Sequence, residues 1–313
     1  MNTKRLLVVG ELNIDLILND IQGFPKIGTE IVADLMEFTL GSSSAIMASN
    51  ISSLGIETSF CGMIGEDQFG EYVLDELSKK KVDTKFIKKC IDYKTGVTVV
   101  INYDQDRANV TYCGAMNALK ISDIPWNEIK NFHHLHLSSY FLQKGIKNDI
   151  IKIFQKAKEA GLSTSLDLQY DPEESWDFDY KSCLPFVDVF LPNEAEIYAL
   201  TGKLNIEDAL NEIIPCANII ALKLGKDGSR LVSGNINIKE PPFLNKNYKD
   251  AIGAGDSFNA GFIQKYLEGA DLETCLRNGN LMGSLSTTCA GGTTAFTSKK
   301  EILNKIKDIE KIK

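Results

Sequence analysis

The sequence alternates short apolar runs with amphipathic helical stretches, and this alternation constrains the fold more than any other feature. Strands that are separated by helices pair in parallel through right-handed crossovers, and a parallel sheet needs helices on both of its faces. We therefore expect an α/β fold with a doubly wound, mostly parallel sheet. The predicted strands are residues 6–9, 58–63, 134–138, 163–168, 187–191 and 219–224, and the predicted helices are 43–54, 69–80, 147–160, 194–200 and 206–214.

Two segments, 11–38 and 93–113, carry strand patterns without an intervening helix. In the second segment, the β-branched run from Thr95 to Asn102 and the residues that follow a turn at 104–107 are typical of a hairpin. Four strands that no helix covers need a ligand or another subunit on their apolar face. We therefore expect a single domain over residues 1–313, with a four-stranded lid through which two copies form a homodimer.

Composition and charge narrow the class of partner. The 313 residues are 43% hydrophobic and 24% charged, and the net charge is −8. Nucleic acid and anionic membrane surfaces attract clustered Lys and Arg, so we expect neither as a partner. Seven scattered cysteines without a C-x-x-C pair, together with no apolar run of signal-peptide or membrane-span length, favour a cytoplasmic setting.

All three histidines lie together, at His133, His134 and His136. Alternation along a strand places His134 and His136 on one face, where they could form a metal pair. Because no third ligand lies nearby in the sequence, we favour a structural role for them.

The strongest indication of chemistry is the stretch DAIGAGDSFNAGF at 250–262. Gly253, Ala254 and Gly255 carry little side-chain bulk, and the N-terminus of the helix expected to follow leaves N–H groups available to an anion. Such a turn suits a transferring phosphoryl group, and the Asp256 carboxylate could accept the proton of an attacking hydroxyl. Alternatively, Asp256 only caps the helix. The stretch lacks the third glycine of a dinucleotide fingerprint, and the chain contains no P-loop sequence.

Five elements in this order and spacing resemble the ribokinase-like (PfkB) carbohydrate kinases. The elements are GELNIDLIL at 10–18, GSSSAIMASNISSLG at 41–55, NEAE at 193–196, LKLGKDG at 222–228 and DAIGAGD at 250–256. The resemblance covers essentially the whole chain. It implies an enzyme that uses ATP and Mg²⁺ to phosphorylate a primary hydroxyl of a sugar or sugar-like substrate.

The resemblance also implies roles for particular positions. Asp256 would be the general base, and the backbone N–H groups of Gly253, Ala254 and Gly255 would hold the γ-phosphate. The substrate-binding positions would be Asn13, Asp15, Gly41, Ser42 and Arg107. The nucleotide-binding positions would be Asn193, Glu196, Lys223, Gly225, Gly228 and Asn280, with Glu196 acting on Mg²⁺ through water. Asp250, Ile252 and Gly291 would bind a monovalent cation such as K⁺.

The turn at residue 41 departs from the family pattern. Ser42 replaces a second glycine, and Ile46 replaces an asparagine that binds substrate in many sugar kinases of the family. An apolar Ile46 removes one hydroxyl contact, which argues against ribose as the substrate. Members that act on phosphorylated sugars often carry a lysine in this turn, where Ser43 and Ser44 stand here, so we expect an uncharged substrate.

Several alternatives stay open on the residues. Asn193 and Glu196 could form a capping box at a helix start, and Arg107 could be a surface charge in a turn. The chain could be a nucleoside kinase, because the same geometry serves a ribose 5′-hydroxyl. It could also be a non-catalytic sugar- or nucleotide-binding regulatory protein, although a pure binder would not need Asp256.

Overall fold

The computed structural model describes residues 4–21, 23–103, 106–245 and 247–310. Thirteen strands and ten α-helices lie within these ranges. The strands are β1 (Arg5–Val9), β2 (Asn13–Ile21), β3 (Ala33–Leu40), β4 (Glu57–Gly65), β5 (Asp83–Cys90), β6 (Gly96–Tyr103), β7 (Asp106–Tyr112), β8 (His134–Ser138), β9 (Ser163–Asp167), β10 (Val189–Phe190), β11 (Ile219–Lys223), β12 (Ser229–Ser233) and β13 (Ile236–Glu240). The helices are α1 (Ser43–Ser53), α2 (Gln68–Lys79), α3 (Lys144–Lys147), α4 (Ile150–Glu159), α5 (Tyr180–Cys183), α6 (Glu194–Thr201), α7 (Ile206–Ile213), α8 (Ala254–Glu268), α9 (Leu272–Ser286) and α10 (Lys299–Glu310).

Nine strands form a large sheet in the order β13-β12-β11-β10-β9-β8-β1-β4-β5. Neighbours from β11 to β5 are parallel, and β12 and β13 extend one edge in antiparallel pairing. Alternate residues of β1 point to opposite faces: Leu7 and Val9 pack into a core with α4, whereas Leu6 and Val8 pack into a core with α1, α8 and α9. The predicted doubly wound α/β fold, with helices on both faces, is therefore confirmed.

Four strands form a separate small sheet in the order β3-β2-β6-β7, as predicted. Strands β2 and β6 are parallel, and the two outer pairs are antiparallel. Strand β3 continues to Leu40, two residues beyond the predicted segment. Arg107 belongs to β7 and pairs with Asn102 of β6, so it lies in a strand and not in the predicted turn. Residues 104 and 105 of that turn lie outside the described residues.

The inner face of the small sheet contacts the segment that precedes α8. Asn13, Asp15 and Ile17 alternate onto this face of β2 and are buried. Ile17 and Val100 pack against Ile252, which lies just before the turn at the start of α8. The small sheet therefore contacts the segment in which the sequence predicts chemistry.

Local differences from the prediction have local causes. Of the predicted helix 147–160, residues 150–159 form α4, whereas Lys147 is the last residue of the separate short helix α3. Asn148 and Asp149 lie between the two helices, and such side chains compete with the helical backbone for hydrogen bonds. Of the predicted strand 187–191, only Val189–Phe190 pairs as a strand. No helix among the described residues is long and apolar enough to cross a membrane.

The paired histidines of β8 are fully buried and bond to serines of β9. Both ring nitrogens of His134 lie 2.7 Å from a serine oxygen, of Ser163 and of Ser165, and His136 Nδ1 lies 2.7 Å from Ser165 Oγ. Burial lowers the pKa of His136 to about 4 and that of His134 well below its ordinary value, so both imidazoles are neutral at pH 7. These bonds fit a structural role. Within the described parts of the chain, no group of three or more His, Cys, Asp or Glu could hold a metal ion.

Candidate active site

Polar residues meet at the carboxyl ends of the parallel strands, where α/β sheets bind their ligands. Asp167 and Lys223 are the last residues of β9 and β11, and Glu11 follows β1 by two residues. Asn193 follows β10 and pairs with Lys223 through the backbone. The sheet topology thus brings together residues that are far apart in sequence.

Helix α8 points its N-terminus at this cluster. Its N-cap is Gly253 at φ +71°, where an added Cβ would lie 2.6 Å from Gly292 Cα, so only glycine fits there. The helix starts at Ala254, three residues before Ser257, where the sequence predicts its start. Asp256 therefore lies inside the first turn, and the alternative that it caps the helix is wrong.

The first-turn amides of α8 divide into two groups. The Ala254 N–H donates to the Ala251 carbonyl at 3.2 Å, and the Ser257 N–H donates to the Gly253 carbonyl at 2.8 Å. No acceptor from the described residues bonds to the N–H of Gly253, Gly255 or Asp256. Three amides with the positive end of the helix dipole form a setting that suits an anion. Of the three amides that the resemblance selects, Ala254 is occupied by the protein.

The Asp256 carboxylate is 7% exposed and accepts a hydrogen bond from Gln169 Nε2 at 3.1 Å. Burial raises the pKa of Asp256 to about 7, and the neighbouring Asp167 carboxylate adds to the rise, whereas Lys223 opposes it. A carboxyl group that titrates near pH 7 is well placed to exchange a proton with a substrate hydroxyl. Gln169 adopts a left-handed φ of +61°, and the sequence did not single it out.

Asp167 and Lys223 form a buried ion pair beside Asp256. Lys223 Nζ lies 2.9 Å from Asp167 Oδ2, and the side chains are 11% and 0% exposed. Asn259 Nδ2 and Gln169 Nε2 donate to the same oxygen. Asp167 Oδ1 is buried without a hydrogen-bond partner among the described residues. Sequence reasoning missed Asp167, although its place at the end of a predicted parallel strand was a usable signal.

Asn193 and Glu196 form the capping box that the sequence offered as an alternative. The Asn193 side chain accepts from the Glu196 N–H at 2.9 Å, and the Glu196 carboxylate accepts from both the backbone and the side-chain N–H of Asn193. Burial raises the pKa of Glu196 to about 7, and the Asp167 carboxylate contributes. Both residues also line a cavity of about 340 Å³ with the rings of Tyr170 and Trp176.

The predicted substrate positions of β2 lie together with Gly41. Asn13 Nδ2 donates to Asp15 Oδ1 at 2.9 Å and to Thr98 Oγ1 at 3.0 Å. Burial raises the pKa of Asp15 to about 6, although Asn13 and the charge of Arg107 oppose the rise. A Cβ on Gly41 would lie 2.1 Å from Asp15 Oδ1, so glycine is required there.

The hydroxyl of Ser42 is engaged by the protein. It caps α1 by accepting from the Ala45 N–H at 3.0 Å, and it donates to the Glu11 carbonyl at 2.6 Å. The Glu11 carboxylate in turn accepts from the amide and the hydroxyl of Ser44. Glu11, which the sequence analysis did not select, therefore positions the start of α1.

Ile46, which stands where many sugar kinases of the family have an asparagine, has a packing role in this structure. Its side chain is 3% exposed, and an added Cβ on Gly292 would lie 2.6 Å from Ile46 Cδ1. The same side chain lies against Gly253, where a Cβ would approach Ile46 Cγ2 to 3.1 Å. Ile46 thus packs two glycine segments together beside the start of α8.

The predicted nucleotide positions have two kinds of environment. Gly225 has φ +56° and open space around the position of a Cβ. Gly228 has φ +87°, and a Cβ there would lie 2.2 Å from the Glu240 carbonyl. Asn280 Nδ2 donates to the carbonyls of Glu240 and Pro241, at 3.0 Å each. Gly228 and Asn280 therefore hold the end of β13, whereas Gly225 leaves a surface that a ligand can approach.

The three predicted cation positions also lie together. Asp250 Oδ1 accepts from the Ile252 N–H at 2.9 Å, and Asp250 Oδ2 accepts from the Gly291 N–H at 3.0 Å. These hydrogen bonds join the segment before α8 to the glycine segment that follows α9.

A parallel α/β sheet, free amides at a helix start and a buried aspartate together suit the transfer of a phosphoryl group to an alcohol. The family model described as pfkB family carbohydrate kinase matches residues 3–299. The chain belongs to this family. It is a kinase with an alcohol group as acceptor, which confirms the predicted enzyme class.

The chain is also similar to individual kinases of known sequence or structure. A protein described as an uncharacterized sugar kinase of Archaeoglobus fulgidus is 29% identical over 234 residues, which are 75% of this chain and 92% of that protein. A nucleoside kinase of Methanothermobacter thermautotrophicus is 27% identical over 96% of this chain and 95% of its own length. The solved structure of Arabidopsis thaliana ribokinase complexed with ribose and ATP has a TM-score of 0.86 at 26% identity, and the match covers 97% of this chain and 99% of that one.

Proposed function

We propose that this enzyme transfers the γ-phosphoryl group of ATP to a primary hydroxyl of an uncharged sugar or sugar-like substrate, with Asp256 as general base. The observation that carries the proposal is the buried Asp256 carboxylate, whose pKa is raised to about 7 and which lies in the same helical turn as three available amides. The hydroxyl gives its proton to Asp256, its oxygen bonds to the γ-phosphorus, and the bond to the bridging oxygen of ADP breaks. The amides would stabilise charge on the transferring group.

The acceptor would bind between the small sheet and the start of α8. Asp15 and Asn13 form a buried, hydrogen-bonded pair of the kind that recognises neighbouring hydroxyls. The Glu11 carboxyl group lies near both Asp15 and Asp256, and its charge raises the pKa of each. Such an acidic surrounding disfavours an anionic acceptor, which supports an uncharged substrate.

The nucleotide would bind along Gly225, Gly228 and Asn280, with its phosphates near the start of α8. Glu196 suits Mg²⁺ held through water, because both carboxylate oxygens already accept hydrogen bonds from Asn193. The ion, when bound, would neutralise charge on the phosphates. Asp250, Ile252 and Gly291 remain the proposed monovalent cation site, where K⁺ would face carbonyl oxygens.

We infer that two copies pair through the outer face of the small sheet. This face is apolar across all four strands, because Leu16 is opposite Phe38 and Val99 is opposite Val110. Val110 and Met36, on the outer strands of this face, are 66% and 65% exposed, and a contiguous exposed apolar patch is typical of an interaction surface. The change Val110→Glu should convert a dimer into a monomer by light scattering; a wild-type protein that is already monomeric would contradict the pairing.

The test is a phosphotransfer assay over free sugars, nucleosides and sugar phosphates with ATP and Mg²⁺, with and without K⁺. ADP formation that depends on an uncharged sugar supports the proposal. Preference for a nucleoside or for a phosphorylated sugar would replace the proposed substrate class. If no acceptor on the panel stimulates ADP formation while ATP still binds, the alternative of a non-catalytic binding protein would be favoured.

A further inference from the structure

We propose that Lys223 is a second catalytic residue, whose ammonium group contacts the transferring phosphoryl group and is positioned for that contact by Asp167 and Asn259. This inference rests on the proposed kinase function. It concerns a cation on a different element from the amides of α8 and from Asp256, so it can be tested separately.

The position of the ammonium group is the first argument. Lys223 Nζ lies 2.9 Å from Asp167 Oδ2 and 3.5 Å from Asn259 Oδ1. It also lies 3.7 Å from the place of a Cβ on Gly255, so it flanks the first turn of α8 at one of the available amides. A phosphoryl oxygen bound by those amides would therefore lie beside this ammonium group.

Asp167 and Asn259 hold the ammonium group of Lys223 in place. A free lysine side chain has high rotamer entropy, so a useful contact requires that the chain be held beforehand. Asp167 is fully buried, and its Oδ2 also accepts from Asn259 Nδ2 and Gln169 Nε2, which fixes the direction of the carboxylate. The ammonium is thereby held at one place, and two of its three N–H groups are assigned to protein acceptors. The third is available to a ligand.

The charge balance is the third argument. Burial alone would lower the pKa of Lys223, but the carboxylates of Asp167, Glu196 and Asp256 outweigh burial and raise it, so the side chain is cationic at neutral pH. The charged groups near Asp256 are Asp167 of β9, Lys223 of β11, Glu11 after β1 and Glu196 of α6. Lys223 is the cation among them, and it opposes the rise in the pKa of Asp256.

In the transfer step, the acceptor oxygen bonds to phosphorus, the bridging P–O bond to ADP breaks, and the acceptor proton passes to Asp256. Charge on the equatorial oxygens of the phosphoryl group would be met by the amides from one side and by Lys223 from another. Asp167 and Asn259 would be positioning residues that touch no substrate atom.

The rival explanation is that Lys223 only neutralises the buried Asp167. A double variant, Lys223→Met with Asp167→Asn, separates the two explanations because it removes both charges and leaves neither unpaired. The matched control is Lys158→Met with Asp188→Asn, which removes the ion pair at 2.7 Å between α4 and the amino end of β10. Both double variants are compared with the wild type by thermal unfolding, kcat, and the affinities for ATP and ADP.

A catalytic Lys223 predicts that the first double variant unfolds near the wild-type temperature but loses about 10²–10³-fold in kcat, as expected for one transition-state donor. Its affinity for ATP should fall about tenfold more than its affinity for ADP, which lacks the γ-phosphate. The control should keep wild-type kcat. A kcat within about threefold of wild type in the first variant would overturn the proposal.

Lys223→Gln provides a second route, because glutamine can still donate to Asp167 without a charge. A folded Lys223→Gln enzyme with wild-type kcat would equally overturn the catalytic role. If instead the wild type shows no phosphotransfer on any acceptor, the proposed function fails. In that case, a loss of preference for ATP over ADP in the variants still supports the contact with the γ-phosphate, and an unchanged preference refutes it.

Discussion

Two lysine–aspartate ion pairs at opposite ends of the large sheet have similar geometry and very different surroundings. Lys158 Nζ lies 2.7 Å from Asp188 at the amino ends of the strands, and Lys223 Nζ lies 2.9 Å from Asp167 at the carboxyl ends. The side chains of Lys158 and Asp188 are 36% and 22% exposed to solvent. Those of Lys223 and Asp167 are only 11% and 0% exposed. Asp188 has its bonds satisfied by Lys158 and Thr164. Asp167 keeps one oxygen without a partner in the described structure.

The difference indicates that the two ends of the large sheet have different roles. Burying several carboxylates together is unfavourable for stability, since each one disfavours the charged form of the others. At the carboxyl ends this cost persists, and the pKa values of Asp256 and Glu196 rise to about 7 because of burial and of Asp167. At the amino ends, Lys158 balances the charge of Asp188. We therefore expect the polar residues of the carboxyl ends to serve chemistry and those of the amino ends to serve the fold.

The largest expected effect comes from Asp256→Asn, which removes the base while keeping the shape of the carboxyl-end cluster. We expect kcat to fall by about 10²–10⁴-fold, the usual contribution of a general base. Thermal unfolding and ATP binding should stay near wild type. The matched change at the amino end, Asp188→Asn, should leave kcat unchanged; near wild-type turnover in Asp256→Asn would remove that residue from its role.

The second expected effect is a pH dependence caused by the carboxyl-end cluster. The pKa of Asp256 is raised to about 7, and a base must be ionised, so kcat/KM should rise with pH and level off above 7. Below that value it should fall about tenfold per pH unit. Because Glu196 also titrates near 7, the measured midpoint belongs to the coupled cluster. A flat profile between pH 5.5 and 8 would contradict the role of these carboxylates.

A smaller effect is expected from Gly41→Ala on the acceptor side of the same end. The added Cβ would lie 2.1 Å from Asp15 Oδ1 and 2.7 Å from Asn13 Nδ2, so this pair would have to move. We expect KM for the acceptor to rise about tenfold, with little change in KM for ATP, measured by initial rates. Gly161→Ala at the amino ends is the control: it strains a φ of +87° and should lower stability only. An equal rise in both KM values would show general distortion.

The smallest effect is expected from Lys158→Met alone. A partly exposed ion pair contributes at most about 1 kcal/mol to the free energy of unfolding, and no ligand-facing group of the carboxyl end is involved. Chemical denaturation should therefore show a change of this size with kcat intact. A marked loss of kcat would break the division between the two ends of the sheet.

Sequence reasoning predicted the fold class and most strands because hydrophobic periodicity reports the burial of each face. It placed the small sheet and the glycine turn before α8 from local patterns. It missed the helix break at Asn148 and Asp149, so that the predicted helix starts three residues before α4, and it placed Arg107 in a turn instead of a strand. In both cases the competing hydrogen bonds or strand pairing involve residues that periodicity does not distinguish.

The candidate site was predicted in part. Asp256, Asp15, Asn193 and Glu196 follow from motifs with fixed spacing, and the structure brings them to one end of the sheet. Glu11 and Asn259 lie within the stretches 10–18 and 250–262, but nothing in those stretches marked them as site residues. Asp167 lies in no such stretch, and its partner Lys223 is 56 residues away in the sequence. Long-range pairing of this kind is set by strand order, which the sequence pattern leaves undetermined.

The contact of Ile252 with Ile17 and Val100 has a consequence for how far water can replace the acceptor in the reaction. Ile252 immediately precedes the glycine that caps α8, so an outward swing of the small sheet would expose this side chain to water and release the backbone that orients the amides. The geometry for phosphoryl transfer is then complete only while the small sheet is seated over an acceptor. An enzyme built in this way would spend little ATP on water, because the conformation that admits solvent is also the one that loosens the anion-binding turn.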